Sequence, residues 1–263
     1  MKAKFVLMVI LLLDAGRASA QQTLYKKVEV PGIESATTDI GGNLYVSLAN
    51  GDVRKYAKSG DLLLEYSPLK NGTIKTIDAT SQLKVVLFYE GFQEVVILDR
   101  YLSKAVMYPL ADFDLGLVSD IAVDRQGNIW VVDLSSFSLS LLDMRLNQVR
   151  ETKSLAQILN RQEANFGALK FHQGNLYLYD RTSGTYVFDN IGNYLTKYAP
   201  TELNIPSFYK DEVYMIGDSL DVVNLYDPAV QSKKYIPSNE YKNILYMSDQ
   251  IIVITVDGFE IYR

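Results

Sequence analysis

Few residues in this chain are equipped for chemistry. There is a single histidine, His172, and no cysteine, so a zinc site has almost no imidazole or thiolate ligands to draw on. His172 stands at the end of a strand-like run before a Gln-Gly turn. No nucleophile-elbow motif accompanies it, which leaves a Ser-His-Asp arrangement without support. Glu34, Asp39, Asp78 and Asp120 are the carboxylates that a metal-dependent hydrolase would have to recruit, but their places differ from one segment to the next. Asp112-Phe113-Asp114-Leu115-Gly116 sets alternate acids before a glycine, as a calcium loop does, yet the third acidic ligand and the distal Glu are missing. Asp99, Asp133, Asp143, Asp180 and Asp189 end strand-like runs, where Asp starts a turn by bonding its own backbone. No phosphate loop or dinucleotide fingerprint is present. The expectation is a non-enzyme, with no catalytic residue, no metal and no cofactor. A lactonase- or esterase-like hydrolase is the catalytic alternative.

The elements that must position any site repeat along the chain. A turn, a short polar lead and a dense apolar run recur as Gly42-Asn43-Leu44-Tyr45-Val46, Gly127-Asn128-Ile129-Trp130-Val131 and Gly174-Asn175-Leu176-Tyr177-Leu178. Weaker copies surround Val86, Tyr214 and Ile252. The interval is about 40 residues, the length of a blade built from several strands. A second marker keeps step with the first: Tyr66-Ser67-Pro68, Tyr108-Pro109, Tyr198-Ala199-Pro200 and Tyr235-Ile236-Pro237 each close a strand-like run. Proline cannot donate to a ladder and so suits the end of an outer edge strand. Runs such as Ile129–Val132 and Ile251–Ile254 are apolar at every position, as expected of strands covered on both faces. The fold class expected is all-β: a six-bladed β-propeller of four-stranded antiparallel blades beginning near Ser35, Lys75, Val118, Phe166, Ile205 and Asn243. The sixth unit runs out one strand short, and Val30-Pro31 carries the strand-ending signal before any unit has begun. Residues 23–30 are therefore expected to complete the last blade.

The stretch from Val118 to Asp133, continuing to Leu141-Leu142-Asp143, resembles the blade of NHL-type six-bladed propellers. Asp39-Ile-Gly-Gly-Asn-Leu-Tyr-Val46 and His172-Gln-Gly-Asn-Leu-Tyr-Leu-Tyr-Asp180 match in part, and the second, fifth and sixth units depart from the pattern. The resemblance implies a fold and a habit of binding; it implies no shared activity.

Residues 1–20 read as a secretory signal, with Lys2 and Lys4, an apolar run from Phe5 to Leu13, and Ala18-Ser19-Ala20 before Gln21. The run is far short of the roughly 20 residues that span a bilayer. The division expected is a signal over 1–20 and one propeller domain over 21–263. Without cysteine there is neither a lipid anchor nor a disulfide, a profile that suits a Gram-negative-type envelope protein, periplasmic, outer-membrane-associated or extracellular. A formal charge of −5 with no basic stripe argues against nucleic acid. The partner expected is a protein of the envelope, the chain serving as scaffold or accessory subunit. The 19 tyrosines keep a glycan- or peptidoglycan-binding role as the alternative.

Two connectors, Pro109–Leu117 and Glu151–Ala164, are longer than the rest and should share one face with the Ser135–Phe137 turn. Loops on a rigid support are where binding concentrates. Leu155, Ile158 and Leu159 recur at helical spacing, and Ser154 with Gln157 could cap a short helix there. The candidate partner-binding residues are Asp112, Phe113, Asp114, Phe137, Leu155 and Ile158, with Phe113 and Phe137 expected at the surface.

Overall fold

The computed structural model describes residues 23–81, 83–198, 207–216, 220–226, 231–234, 241–247 and 250–263. The segment expected to be the export signal lies outside them, as do Ile205 and Tyr235. Twenty-four strands form six separate four-stranded antiparallel sheets, the blades of a propeller. Strand β1 is Leu24–Glu29. Blade one holds β2 (Ile33–Thr38), β3 (Leu44–Leu48), β4 (Val53–Tyr56) and β5 (Leu62–Tyr66). Blade two holds β6 (Thr76–Asp78), β7 (Lys84–Tyr89), β8 (Glu94–Asp99) and β9 (Ala105–Pro109). Blade three holds β10 (Val118–Val123), β11 (Ile129–Asp133), β12 (Ser138–Asp143) and β13 (Gln148–Ser154). Blade four holds β14 (Phe166–His172), β15 (Asn175–Asp180), β16 (Gly184–Phe188) and β17 (Tyr194–Tyr198). Blade five holds β18 (Ser207–Tyr209), β19 (Glu212–Ile216), β20 (Leu220–Asn224) and β21 (Gln231–Lys234). Blade six consists of β22 (Asn243–Tyr246), β23 (Ile251–Ile254) and β24 (Gly258–Tyr262), completed by β1 in the order β1-β24-β23-β22. Among the described residues no helix is long and apolar enough to cross a membrane.

Burial follows position in the blade. The second strands β3, β11 and β23 are buried at every residue, because neighbouring blades cover both faces. The outer strands β5 and β17 are largely exposed. The core is therefore a series of inter-blade seams. One seam gathers Trp130, Val132, Leu139, Leu169, Leu178 and Phe188 between blades three and four.

The repeated Gly-Asn signature is a turn device. Asp39 Oδ1 accepts from Asn43 N at 2.9 Å while Asp39 Oδ2 accepts from Asn43 Nδ2 at 2.8 Å. Asp124 and Asn128 repeat the pair at 2.9 and 2.8 Å, and Asp189 and Asn193 at 2.8 and 3.0 Å. Gly174-Asn175 looks like a further copy but is built differently. Gln173 and Gly174 both have positive φ, 47° and 85°, and His172 pairs directly with Asn175. That is a two-residue mirror-image hairpin, which needs no Asp buttress.

An antiparallel meander puts alternate turns at opposite ends. The first-to-second and third-to-fourth strand turns share one side of the ring, the turn face. The blade-to-blade connectors and second-to-third strand turns share the other, the connector face. The first and last described residues meet on the turn face: Thr23 N donates to Arg263 O at 2.8 Å, and an Arg263 guanidinium nitrogen reaches Lys58 O at 3.4 Å.

Candidate functional site

The first strands of the blades line the ring axis, where a cavity of about 410 Å³ is bounded by residues of every blade. First strands pair on one edge only, so the other edge presents backbone N–H and C=O groups to the cavity. Glu34, Lys75, Arg181 and Lys242 stand at the connector-face mouth, Lys170 and Asp120 along the wall, and Asp78 and His172 toward the turn face.

Most of these polar groups are already engaged. Lys75 Nζ lies 2.6 Å from Glu90 Oε1. Lys242 Nζ donates across the ring closure to Ile33 O at 3.4 Å. Arg181 donates to Phe166 O at 2.8 Å and lies against Gly167, where a Cβ would come 3.2 Å from the guanidinium carbon and 2.7 Å from the Tyr179 ring. Asp78 caps its own turn, accepting from Thr80 N at 3.0 Å and Thr80 Oγ1 at 2.6 Å. Asp120 is buried and serves as a fastener between blades. Its carboxylate accepts from the Thr76 hydroxyl in blade two, from Ile121 N at 2.7 Å and from Leu169 N at 2.9 Å in blade four. Burial raises the Asp120 pKa, opposed by nearby Lys170 and by those donors. Asp39, the remaining candidate acid, belongs to its turn and lies 3.8 Å from Lys55 Nζ.

His172 is more than a surface turn residue. Its Nε2–H donates to Lys210 O at 2.6 Å, and its ring stacks on Phe208 of the next blade with centroids 5.0 Å apart. Burial holds the imidazole below its ordinary pKa, outweighing the Lys210 carbonyl, so the ring is neutral at physiological pH. Among the described residues no three His, Asp or Glu side chains are grouped closely enough to hold a metal ion.

The two long connectors do converge on the connector face with the Ser135–Phe137 turn. Leu134 N donates to Leu117 O at 2.8 Å and Leu155 N to Phe137 O at 3.0 Å, while Arg161 reaches the Leu134 and Ser135 carbonyls at 2.8 Å each. The apolar residues there are not exposed, which corrects the expectation. Phe113 is 4% and Phe137 3% exposed. Phe113 closes a short 3-10 helix, Leu110–Phe113, and packs with Phe88, Val118 and Ile121. Phe137 turns inward from a backbone at φ 53° and stacks on Phe166. Leu155 and Ile158 join that same seam. No helix forms: β13 runs on to Ser154, and beyond it Ile158 N and Leu159 N both bond to Leu155 O as turns. Asp112 and Asp114 alone of the six candidates are exposed. The candidates thus divide between two seams and a rim loop. Lys75, Lys170, Arg181 and Lys242 were missed, although Lys170 inside the otherwise apolar Phe166–Phe171 run was a visible signal.

No protein-family model and no curated protein sequence matches the chain. Solved structures do. The streptogramin B lyase structure superposes with TM-score 0.64 and 12% identity, over 92% of this chain and 97% of that one. The Neurospora crassa Pan2 WD40 domain gives TM-score 0.61 and 7% identity, over 88% and 89%. YCF48 bound to D1 peptide gives 0.55 and 13%, over 88% and 77%. What they share with this chain is the propeller. At such identities an enzyme and non-enzymatic propellers are equally compatible neighbours, and function must be argued from the site.

Proposed function

We propose that this chain is an exported, NHL-type propeller that works by binding a protein, as scaffold or accessory subunit of a bacterial envelope or outer-membrane assembly. One observation carries the reading. Two of the side chains best equipped for chemistry, His172 and Asp120, are engaged in fastening one blade to the next, His172 to Lys210 O and Asp120 to Thr76 and Leu169. What the ring leaves on offer is a rigid mouth of mixed charge and the loops around it. The neighbour named as YCF48 bound to D1 peptide lends support, since a propeller of similar shape holds a peptide. The tyrosines favour a protein over a glycan: Tyr45, Tyr56, Tyr89, Tyr177 and Tyr214 are buried in the core. Export rests on residues 1–20 alone.

Among the described residues, the most exposed apolar groups on the connector face are Leu69, Val256 and Leu117, 99%, 63% and 52% exposed. Leu69→Asp combined with Leu117→Asp should abolish capture of a stoichiometric protein from solubilised envelopes while leaving Tm unchanged, since exposed substitutions cost little. Capture that survives the pair, retention on peptidoglycan with no protein bound, or turnover of lactone or ester substrates would each defeat the reading.

A further inference from the structure

We propose that the turn face docks on an anionic lipid surface, a role separate from partner binding on the connector face. The ring is electrically two-sided. Among the described residues, the exposed charges at the turn-face tips are Arg100, Lys104, Arg125, Arg145, Lys210 and Arg263 against two acids, Asp61 and Asp211. Asp61 is held by Lys26 at 2.6 Å, and Asp211 accepts from Gln173 Nε2 at 2.8 Å. Other described acids of this face are withdrawn. Asp39, Asp99, Asp124 and Asp189 point their carboxylates back onto turn amides. The connector face has the opposite bias, exposing Glu29, Glu34, Asp112, Asp114, Glu163 and Asp257 against Lys70, Arg161, Arg181 and Lys242. Although the formal charge of the chain is −5, the described residues of the turn face thus carry a basic excess.

The same tips carry apolar side chains. Ile40, Leu83, Tyr101, Leu146, Ile191 and Tyr226 are 69%, 65%, 58%, 63%, 53% and 74% exposed. Three are placed alike: Tyr101, Leu146 and Ile191 each precede a residue of positive φ, Leu102, Asn147 and Gly192, which turns the chain back and leaves the side chain at the apex. A basic residue adjoins several of them, as in Arg100-Tyr101, Arg145-Leu146 and Leu83-Lys84, and the Arg100 guanidinium lies 4.7 Å from the Tyr101 ring centroid. A protein pocket selects a contiguous apolar patch. Separate apolar tips, spread over five blades at one end of the ring and interleaved with cations, instead fit a fluid planar interface. There each tip enters the headgroup layer and each cation meets a lipid phosphate. Tyrosine is favoured at that depth.

The chain from Gln21 onward contains all twenty-four strands and omits the apolar leader, so it is the protein to test. It should float with vesicles of phosphatidylcholine mixed with phosphatidylglycerol, not with phosphatidylcholine alone, and release as salt rises. Arg100→Glu, Arg125→Glu, Arg145→Glu and Lys210→Glu together should lower partitioning by about a thousandfold. Lys70→Glu with Arg161→Glu on the connector face should change it little. Tyr101→Trp gives a readout independent of the quadruple variant's folding. The one native tryptophan, Trp130, is fully buried, so a blue shift on adding anionic vesicles reports insertion at the tip. Absence of flotation at low salt, partitioning unaffected by the quadruple reversal, unshifted emission from the Tyr101→Trp variant, or capture of a soluble acidic protein by this face with no vesicle binding would overturn the proposal.

Discussion

A chain from which residues 21–30 are deleted is expected to unfold or aggregate, whereas one carrying a tag ahead of Gln21 should melt as the intact protein does. The difference follows from what β1 does. It is the fourth strand of the last blade, with Leu24 opposite Tyr262, Val28 opposite Phe259 and Glu29 opposite Gly258. Val30 follows it into a core shared with Ile33, Leu44, Ile252 and Phe259, and its N–H bonds to Asp257 O at 2.8 Å. Removing the segment strips one edge of β24 and opens the seam between blades six and one. Loss of Val30 burial alone costs about 2 kcal/mol, and the lost ladder and exposed edge come on top of it. A domain stable by about 5–15 kcal/mol has little room for that, and a bare apolar edge invites pairing with other chains. Thr23 by contrast is exposed, so an extension there displaces nothing. Gly258→Val tests the same contact at one residue. A Cβ on Gly258 would lie 2.0 Å from Val28 O and 2.7 Å from Val30 N, both backbone atoms, so β1 must move away. Thermal melting and light scattering decide. A deletion variant melting at the full-length temperature would show that closure is not what holds the ring.

The closure was legible in the sequence because it is a matter of counting: the sixth unit lacks a strand, and Val30-Pro31 supplies a strand ending with no strand otherwise assigned. The blades were legible for a related reason. A second strand covered on both faces must be apolar throughout, so Tyr45, Val86, Trp130, Tyr177, Tyr214 and Ile252 all fall in second strands. Loops carry no such constraint. Phe113 and Phe137 read equally well as surface anchors or as plugs, and the choice is made by backbone that turns inward, as at Phe137 with φ 53°. Helical spacing at Leu155, Ile158 and Leu159 failed because those residues answer to the seam, where Leu155 and Leu159 are buried and Ile158 packs against them, and a single turn there suffices. The cavity lysines were hidden differently. A cation on a first strand is ordinary edge protection in sequence, and it becomes a site only when six such strands face one axis. The bias of the turn face is likewise invisible along the chain, since its exposed charges come from turns scattered over five units and its acids are distinguished only by where their carboxylates point.

Replacing Asp120 with Ala should lower Tm more than any exposed-surface substitution, although no partner or substrate is involved. The carboxylate joins three blades at the cavity wall, and its removal leaves the Leu169 N–H and the Thr76 hydroxyl without their acceptor in a buried place. Each stranded group costs about 1–3 kcal/mol. A total near 3 kcal/mol corresponds to a fall in Tm of about 10 °C for a domain of this size. Asp120→Asn should cost less, since one oxygen remains to accept, though its amide must face one N–H donor. Thr76→Val added to Asp120→Ala should cost less than the two single changes summed, because the hydroxyl is no longer stranded. The pH dependence gives a separate signature. Burial raises the Asp120 pKa in the folded protein, so the folded state holds this proton more tightly than the unfolded chain does. The unfolded state then binds fewer protons over that window, and the group's contribution to stability falls as pH rises from the ordinary aspartate range through the raised value. The lowered carboxylates at the turns, Asp99 and Asp189, act in the opposite sense and lose stability as pH falls. Subtracting the Asp120→Asn stability curve from the wild-type curve cancels those turns and isolates Asp120. The difference should decline with rising pH; a flat or rising difference, or Asp120→Ala melting with the wild type, would mean that the blades do not depend on this fastener.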